Sequence, residues 1–125
     1  MVSQLRLYEM GSGSMEPVIH GHVPSSPTSG DVVLISKLFD PQRLQKNDLV
    51  FVSFVTTNGM HVRTIRRVAG IARDSYLHPS KTNEVLQIPD GFVYLLAEST
   101  NGIDSRQLGL FRSSQIEGKV LHVFR

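Results

Sequence analysis

The chain has 125 residues, 40% of them apolar and 19% charged, with a formal net charge of +2. That length supports one domain with a real core but not two, and the composition is too apolar for a disordered chain. The small charge, with cations scattered apart from Arg63, Arg66 and Arg67, gives no case for nucleic acid, and the absence of cysteine excludes disulfides, thiolate metal sites and a cysteine nucleophile.

Leu5 and Leu7 alternate with Arg6 and Tyr8, the pattern of a short strand. Met15 to His20 reads as a short helix behind a serine cap, followed by a Pro/Ser loop around Pro24-Ser25-Ser26-Pro27. Val32-Val33-Leu34-Ile35 and Leu49-Val50-Phe51-Val52 are β-branched runs that predict strands, with a short helical piece at Pro41 to Gln45 between them. Beyond the turn signal Asn58-Gly59, Val62 to Ile71 alternates again, as do Val85 to Ile88, Phe92 to Leu96 and Val120 to Phe124. Loops are marked by His78-Pro79-Ser80, Pro89-Asp90-Gly91 and Asn101-Gly102. The expectation is one all-β domain over residues 1–125. It would have about seven or eight short strands in coiled antiparallel sheets, an open barrel or sandwich with long loops and little helix. The longest apolar run, Leu49 to Val55, is far short of the ~20 residues a membrane helix needs. Met1 to Met10 has neither the basic start nor the apolar centre of a signal peptide. Nothing in the residue pattern calls for a cofactor or a metal.

The segment that carries chemistry is Gly11-Ser12-Gly13-Ser14-Met15-Glu16-Pro17. A nucleophilic serine must stand on a sharp turn with backbone N–H groups free to face a developing oxyanion. Gly11 and Gly13 permit such a turn, and Pro17 fixes the chain leaving it. A Gly/Ser linker ahead of a strand has the same composition.

This segment resembles the Ser-Met box of the type I signal peptidase family, in which Ser-x-Ser-Met-x-Pro is followed by Gly-Asp and an apolar strand. Gly30-Asp31-Val32-Val33 follows here, then Asn47-Asp48-Leu49-Val50-Phe51. Ile65-Arg66-Arg67-Val68-Ala69-Gly70 resembles the family's Lys-Arg-Val-x-Gly box, and Ile88-Pro89-Asp90-Gly91 its Val-Pro-x-Gly segment. Asp104-Ser105-Arg106-Gln107-Leu108-Gly109 resembles the Asp-Ser-Arg-x-x-Gly box, and Ile116-Glu117-Gly118-Lys119-Val120 the closing Ile-x-Gly-Lys/Arg-Val. Each box is weak alone; the ordered set spans nearly the whole chain. Within the family, the spacing is most similar to subunit 1 of the mitochondrial inner membrane peptidase, with the bacterial enzymes next.

The resemblance implies a serine endopeptidase that removes presequences from precursor proteins bound in extended form. Ser14 would be the nucleophile, with the Ser14 N–H and the Ser12 hydroxyl as the oxyanion hole. Met15 would pack beside the substrate groove. Asp104 and Arg106 would form a structural ion pair under the site, with Ser105 holding their loop, although the same three residues also read as a polar turn. The implied setting is the intermembrane-space face of the mitochondrial inner membrane, or alternatively the outer face of a bacterial plasma membrane. The implied partners are the membrane surface, through an N-terminal segment missing here, and a second peptidase subunit.

The pattern departs from the family at the general base. A Ser–Lys protease relies on a desolvated, neutral lysine, and Arg66 stands at that position. A guanidinium stays protonated and cannot accept the serine's proton. His61 lies five residues earlier, an odd separation that puts it on the opposite face of a regular strand. Glu98 is a further candidate base. The serine two residues before the Asp in bacterial members is Gly102 here. Arg66 therefore marks a catalytically silent subunit that binds peptide or a partner protease, an active enzyme whose base lies elsewhere, or an inactivating change. A self-cleaving repressor-type domain shares the Ser-Met box, but the Asp-Ser-Arg box argues against it.

Overall fold

Apolar residues at period two dominate the segments that pair, and the pairing is antiparallel throughout. The computed structural model describes residues 5–10, 15, 19, 31–78, 81–99 and 102–124. In chain order these form β1 (Leu5–Glu9), β2 (Val32–Ser36), β3 (Leu49–Val55), β4 (His61–Gly70), β5 (Ser75–His78), β6 (Lys81–Gln87), β7 (Phe92–Leu96), α1 (Ser105–Leu108), β8 (Phe111–Arg112) and β9 (Ile116–Phe124). Seven strands make one sheet in the order β1-β2-β9-β3-β4-β7-β8, and β5 and β6 make a separate hairpin. The fold is all-β with little helix, and the large sheet is not closed into a barrel.

The central hairpin β3–β4 sets the frame. Its register runs unshifted from Leu49 opposite Arg67 to Val55 opposite His61. Gly59 closes it with φ 87°, a left-handed conformation that only glycine adopts freely. Val50, Val52 and Phe54 of β3 share a face with Val68 of β4 and pack into one buried cluster with Leu44, Val93, Leu95, Phe111 and Ile116. On the other face Ile65 joins Met10, Met15, Ile19, Val33, Ile35 and Ala97, with Tyr8 and Phe51 against them. Both faces of β3 are thus covered, and none of its seven residues is charged.

The sheet also curls strongly. The Tyr8 hydroxyl of β1 donates to the Arg63 carbonyl of β4 at 3.3 Å. Those strands are four spacings apart in the sheet, about 19 Å if it were flat. Glycine makes room where β9 pairs with β2: a Cβ on Gly118 would stand 2.3 Å from Ile35 Cγ2 and 3.0 Å from the Ser36 carbonyl oxygen.

Several elements differ in detail from the sequence expectation. The piece expected at Pro41–Gln45 is a 3-10 turn over Pro41–Arg43, capped by the Asp40 carboxylate accepting from Gln42 N–H at 2.9 Å. His78, expected in a loop, ends β5 opposite Lys81 of β6, and β5 itself has too few apolar residues to be seen as a strand; Pro79 and Ser80 lie outside the described residues. The polar turn expected at Asp104-Ser105-Arg106 is the start of a helix. Of the helix expected over Met15–His20, only Met15 and Ile19 are described, joined by an Ile19 N–H to Met15 carbonyl bond of 2.8 Å.

Candidate functional site

Asp104 is the organising residue. It is fully buried and caps α1, with its own N–H bound by Gln107 Oε1 at 2.8 Å in a reciprocal capping box. Its Oδ1 accepts from the Arg106 N–H at 2.9 Å, and its Oδ2 from the Ala97 N–H at 2.7 Å. The Arg106 guanidinium completes the shell, with Nη2 at 2.7 Å from Oδ2 and Nε within 3.0 Å of both oxygens. Ser105 is equally buried, and its hydroxyl oxygen accepts the Leu95 N–H at 2.9 Å. Asp104 and Ser105 therefore bind the chain at the end of β7 to the loop before α1. Burial of unpaired N–H groups is costly, so these acceptors fix where β7 stops.

Arg66 reaches the same loop from β4. It is 3% exposed; its Nε donates to the Ile103 carbonyl at 3.0 Å and its Nη1 to the Ile65 carbonyl at 2.7 Å. Its Cζ lies 5.7 Å from the centre of the Phe54 ring. Burial pushes the guanidinium down to about 10; the carboxylate of Asp104 and the hydroxyl of Tyr8 partly counter that, and Arg106 adds to it. At neutral pH Arg66 remains a cation held in a cage of carbonyls. It donates and does not accept. The same burial, reinforced by the Asp104 charge, raises the Tyr94 phenol above its ordinary range.

Met15 connects the serine box to this place. It is fully buried in one cluster with Ile65 and Ala97, which are the chain neighbour of Arg66 and the N–H partner of Asp104 respectively. Arg67 pairs with Leu96 across β4 and β7, so Arg66 and Ala97 are the next residues on the two strands where they part. Three segments far apart in sequence, around Met15, Arg66 and Asp104, meet there. Ser12 and Ser14 lie outside the described residues, as do His20 and His22.

The candidate bases do not join this cluster. His61 is exposed at the end of the unshifted β3–β4 ladder, opposite Val55. Glu98 is ion-paired with Arg67. Among the described residues no group of His, Cys, Asp and Glu could hold a metal ion. A groove of about 620 Å³ is lined by residues such as Leu44, Ile71, Arg73 and Phe92, none of them in the Arg66–Asp104 cluster. Sequence reasoning missed Ala97 and the Ile103 carbonyl, because backbone groups carry no sequence signature. It also missed Gln107, whose Asp-x-x-Gln spacing from Asp104 was a readable capping signal.

No family model matches the chain, and no curated protein matches it.

Proposed function

We propose that this chain is the core of a signal-peptidase-like serine endopeptidase that removes presequences from membrane-sorted precursors. Ser14 attacks the scissile carbonyl, and its own N–H with the Ser12 hydroxyl stabilises the oxyanion. The precursor lies in extended form against the sheet. The setting is the intermembrane-space face of the mitochondrial inner membrane; among the described residues no helix is long and apolar enough to cross a membrane. The observation that carries this reading is the meeting of the Met15, Arg66 and Asp104 segments around Ala97. A mere linker at residues 11–17 would give Met15 no reason to be buried beside that loop.

A second reading has its own observation. Arg66 is a protonated cation bound to two carbonyls where a neutral lysine would be needed. A silent subunit that binds peptide or a partner protease accounts for that directly.

Cleavage of a presequence peptide with small residues before the scissile bond separates the two. The peptidase reading expects hydrolysis by the wild type and its loss, by roughly 10⁴-fold or more, in Ser14→Ala. Hydrolysis unchanged in Ser14→Ala refutes Ser14 as the nucleophile. Hydrolysis only in Arg66→Lys, rising with pH as a desolvated ammonium loses its proton, establishes the silent reading.

A further inference from the structure

A groove of about 170 Å³ is lined by Arg6, Leu7, Tyr8, Ile35, Lys37, Phe51, Arg63 and Glu117. These residues come from β1, the end of β2, β3, β4 and β9, so the groove exists only because the sheet curls. Its floor is aromatic: the Tyr8 and Phe51 rings meet at 4.9 Å. Above it stand three cations against one carboxylate.

The cations are of two kinds. Arg63 is fixed, with Cζ 5.4 Å from the centre of the Phe51 ring and Nη2 2.5 Å from Glu117 Oε1. Arg6 of β1 and Lys37, just past the end of β2, are exposed at the rim. Among the described residues Glu117 is ion-paired with Arg63, and no ion pair holds Arg6 or Lys37. The exposed cations, the aromatic floor and the space point the same way.

We propose that this groove binds a phosphate monoester. A carboxylate offers two oxygens, whereas a phosphate monoester offers three terminal oxygens and close to two negative charges, which suits three separate cations. The volume equals the share of about five or six water molecules, room for the phosphate and a short stem. Ile35, opposite Arg6 across β1 and β2, gives that stem an apolar wall. The ester is carried either by a small soluble metabolite or by a lipid headgroup. The proposal does not depend on the peptidase reading, since it uses neither Ser14 nor Arg66.

The test is a titration of the full chain with glycerol 1-phosphate, read on the arginine side-chain NMR signals, beside co-sedimentation with phosphatidylcholine vesicles with and without phosphatidic acid. Saturable glycerol 1-phosphate binding that shifts the Arg63 signal supports a soluble ester. Binding only to vesicles that contain phosphatidic acid supports a headgroup. In either case Arg6→Gln and Lys37→Gln each weaken binding by roughly ten- to a hundredfold, the worth of one charge-assisted hydrogen bond. Glu117→Gln tightens it by freeing Arg63, and Arg112→Gln, an exposed cation elsewhere, leaves it unchanged. No binding to either probe, or equal binding by the Arg6→Gln/Lys37→Gln double variant, overturns the proposal.

Discussion

Asp104→Ala is the substitution whose cost follows most directly from the structure. It removes both oxygens that accept the Ala97 N–H at 2.7 Å and the Arg106 N–H at 2.9 Å. The first donor is left in a buried place, at about 1–3 kcal/mol, and the second loses a helix cap worth about 0.5–2 kcal/mol. The Arg66 and Arg106 guanidiniums also lose their shared carboxylate, and removing one partner from a buried charge group raises the total to about 3–5 kcal/mol. These contributions overlap and are not a sum. In urea unfolding the midpoint falls with the slope unchanged, and Tm drops by roughly 10–20 °C. Asp104→Asn is the sharper probe, because each oxygen serves a different backbone N–H. Whichever atom becomes the amide NH2 faces a donor, so the isosteric change still costs about 1–3 kcal/mol. A loss below about 1 kcal/mol in both variants would show that the loop before α1 is not held by this carboxylate.

Gly118→Ala forces a Cβ to within 2.3 Å of Ile35 Cγ2 and 3.0 Å of a backbone oxygen, whereas at Gly70 the tightest neighbour is the movable end of Ile88 at 2.8 Å. Both lose stability by thermal unfolding, Gly118→Ala by about 1–3 kcal/mol and Gly70→Ala by less, and the reverse order refutes the packing argument. Arg66→Met is within about 2 kcal/mol of the wild type at neutral pH, because relief of desolvation offsets the lost hydrogen bonds. The folded guanidinium titrates near 10, below its ordinary value in the unfolded chain, so between the two the unfolded chain binds more protons and wild-type stability gains with pH. The stability difference, wild type minus Arg66→Met, therefore grows across that window; a flat difference refutes the burial of that charge.

The strands with strict alternation were legible because their side chains face two different apolar clusters, as Val50, Val52 and Phe54 do against Leu49 and Phe51. The start of β9 was not: Ile116 to Lys119 contains a glycine, and only the approach of Ile35 shows why a glycine belongs in that strand. Helix α1 has four residues, too few for any periodicity to register. The chemistry-bearing residue types at Arg66, Asp104 and Arg106 could be read from the sequence. Their mutual geometry could not, because it depends on the Ala97, Leu95 and Ile103 backbone groups that every sequence possesses.

The charge in this cluster decides how Arg66 should be understood. One buried carboxylate, Asp104, sits between two guanidiniums, and its direct ion pair is with Arg106. Asp104 favours the Arg66 cation while Arg106 opposes it, and burial outweighs both. A lysine there could lose its proton, which is what would turn it into a base. Arginine loses its proton only near pH 10, so at neutral pH Arg66 stays charged. On the peptidase reading proposed above, the proton acceptor for Ser14 therefore has to be a group other than Arg66.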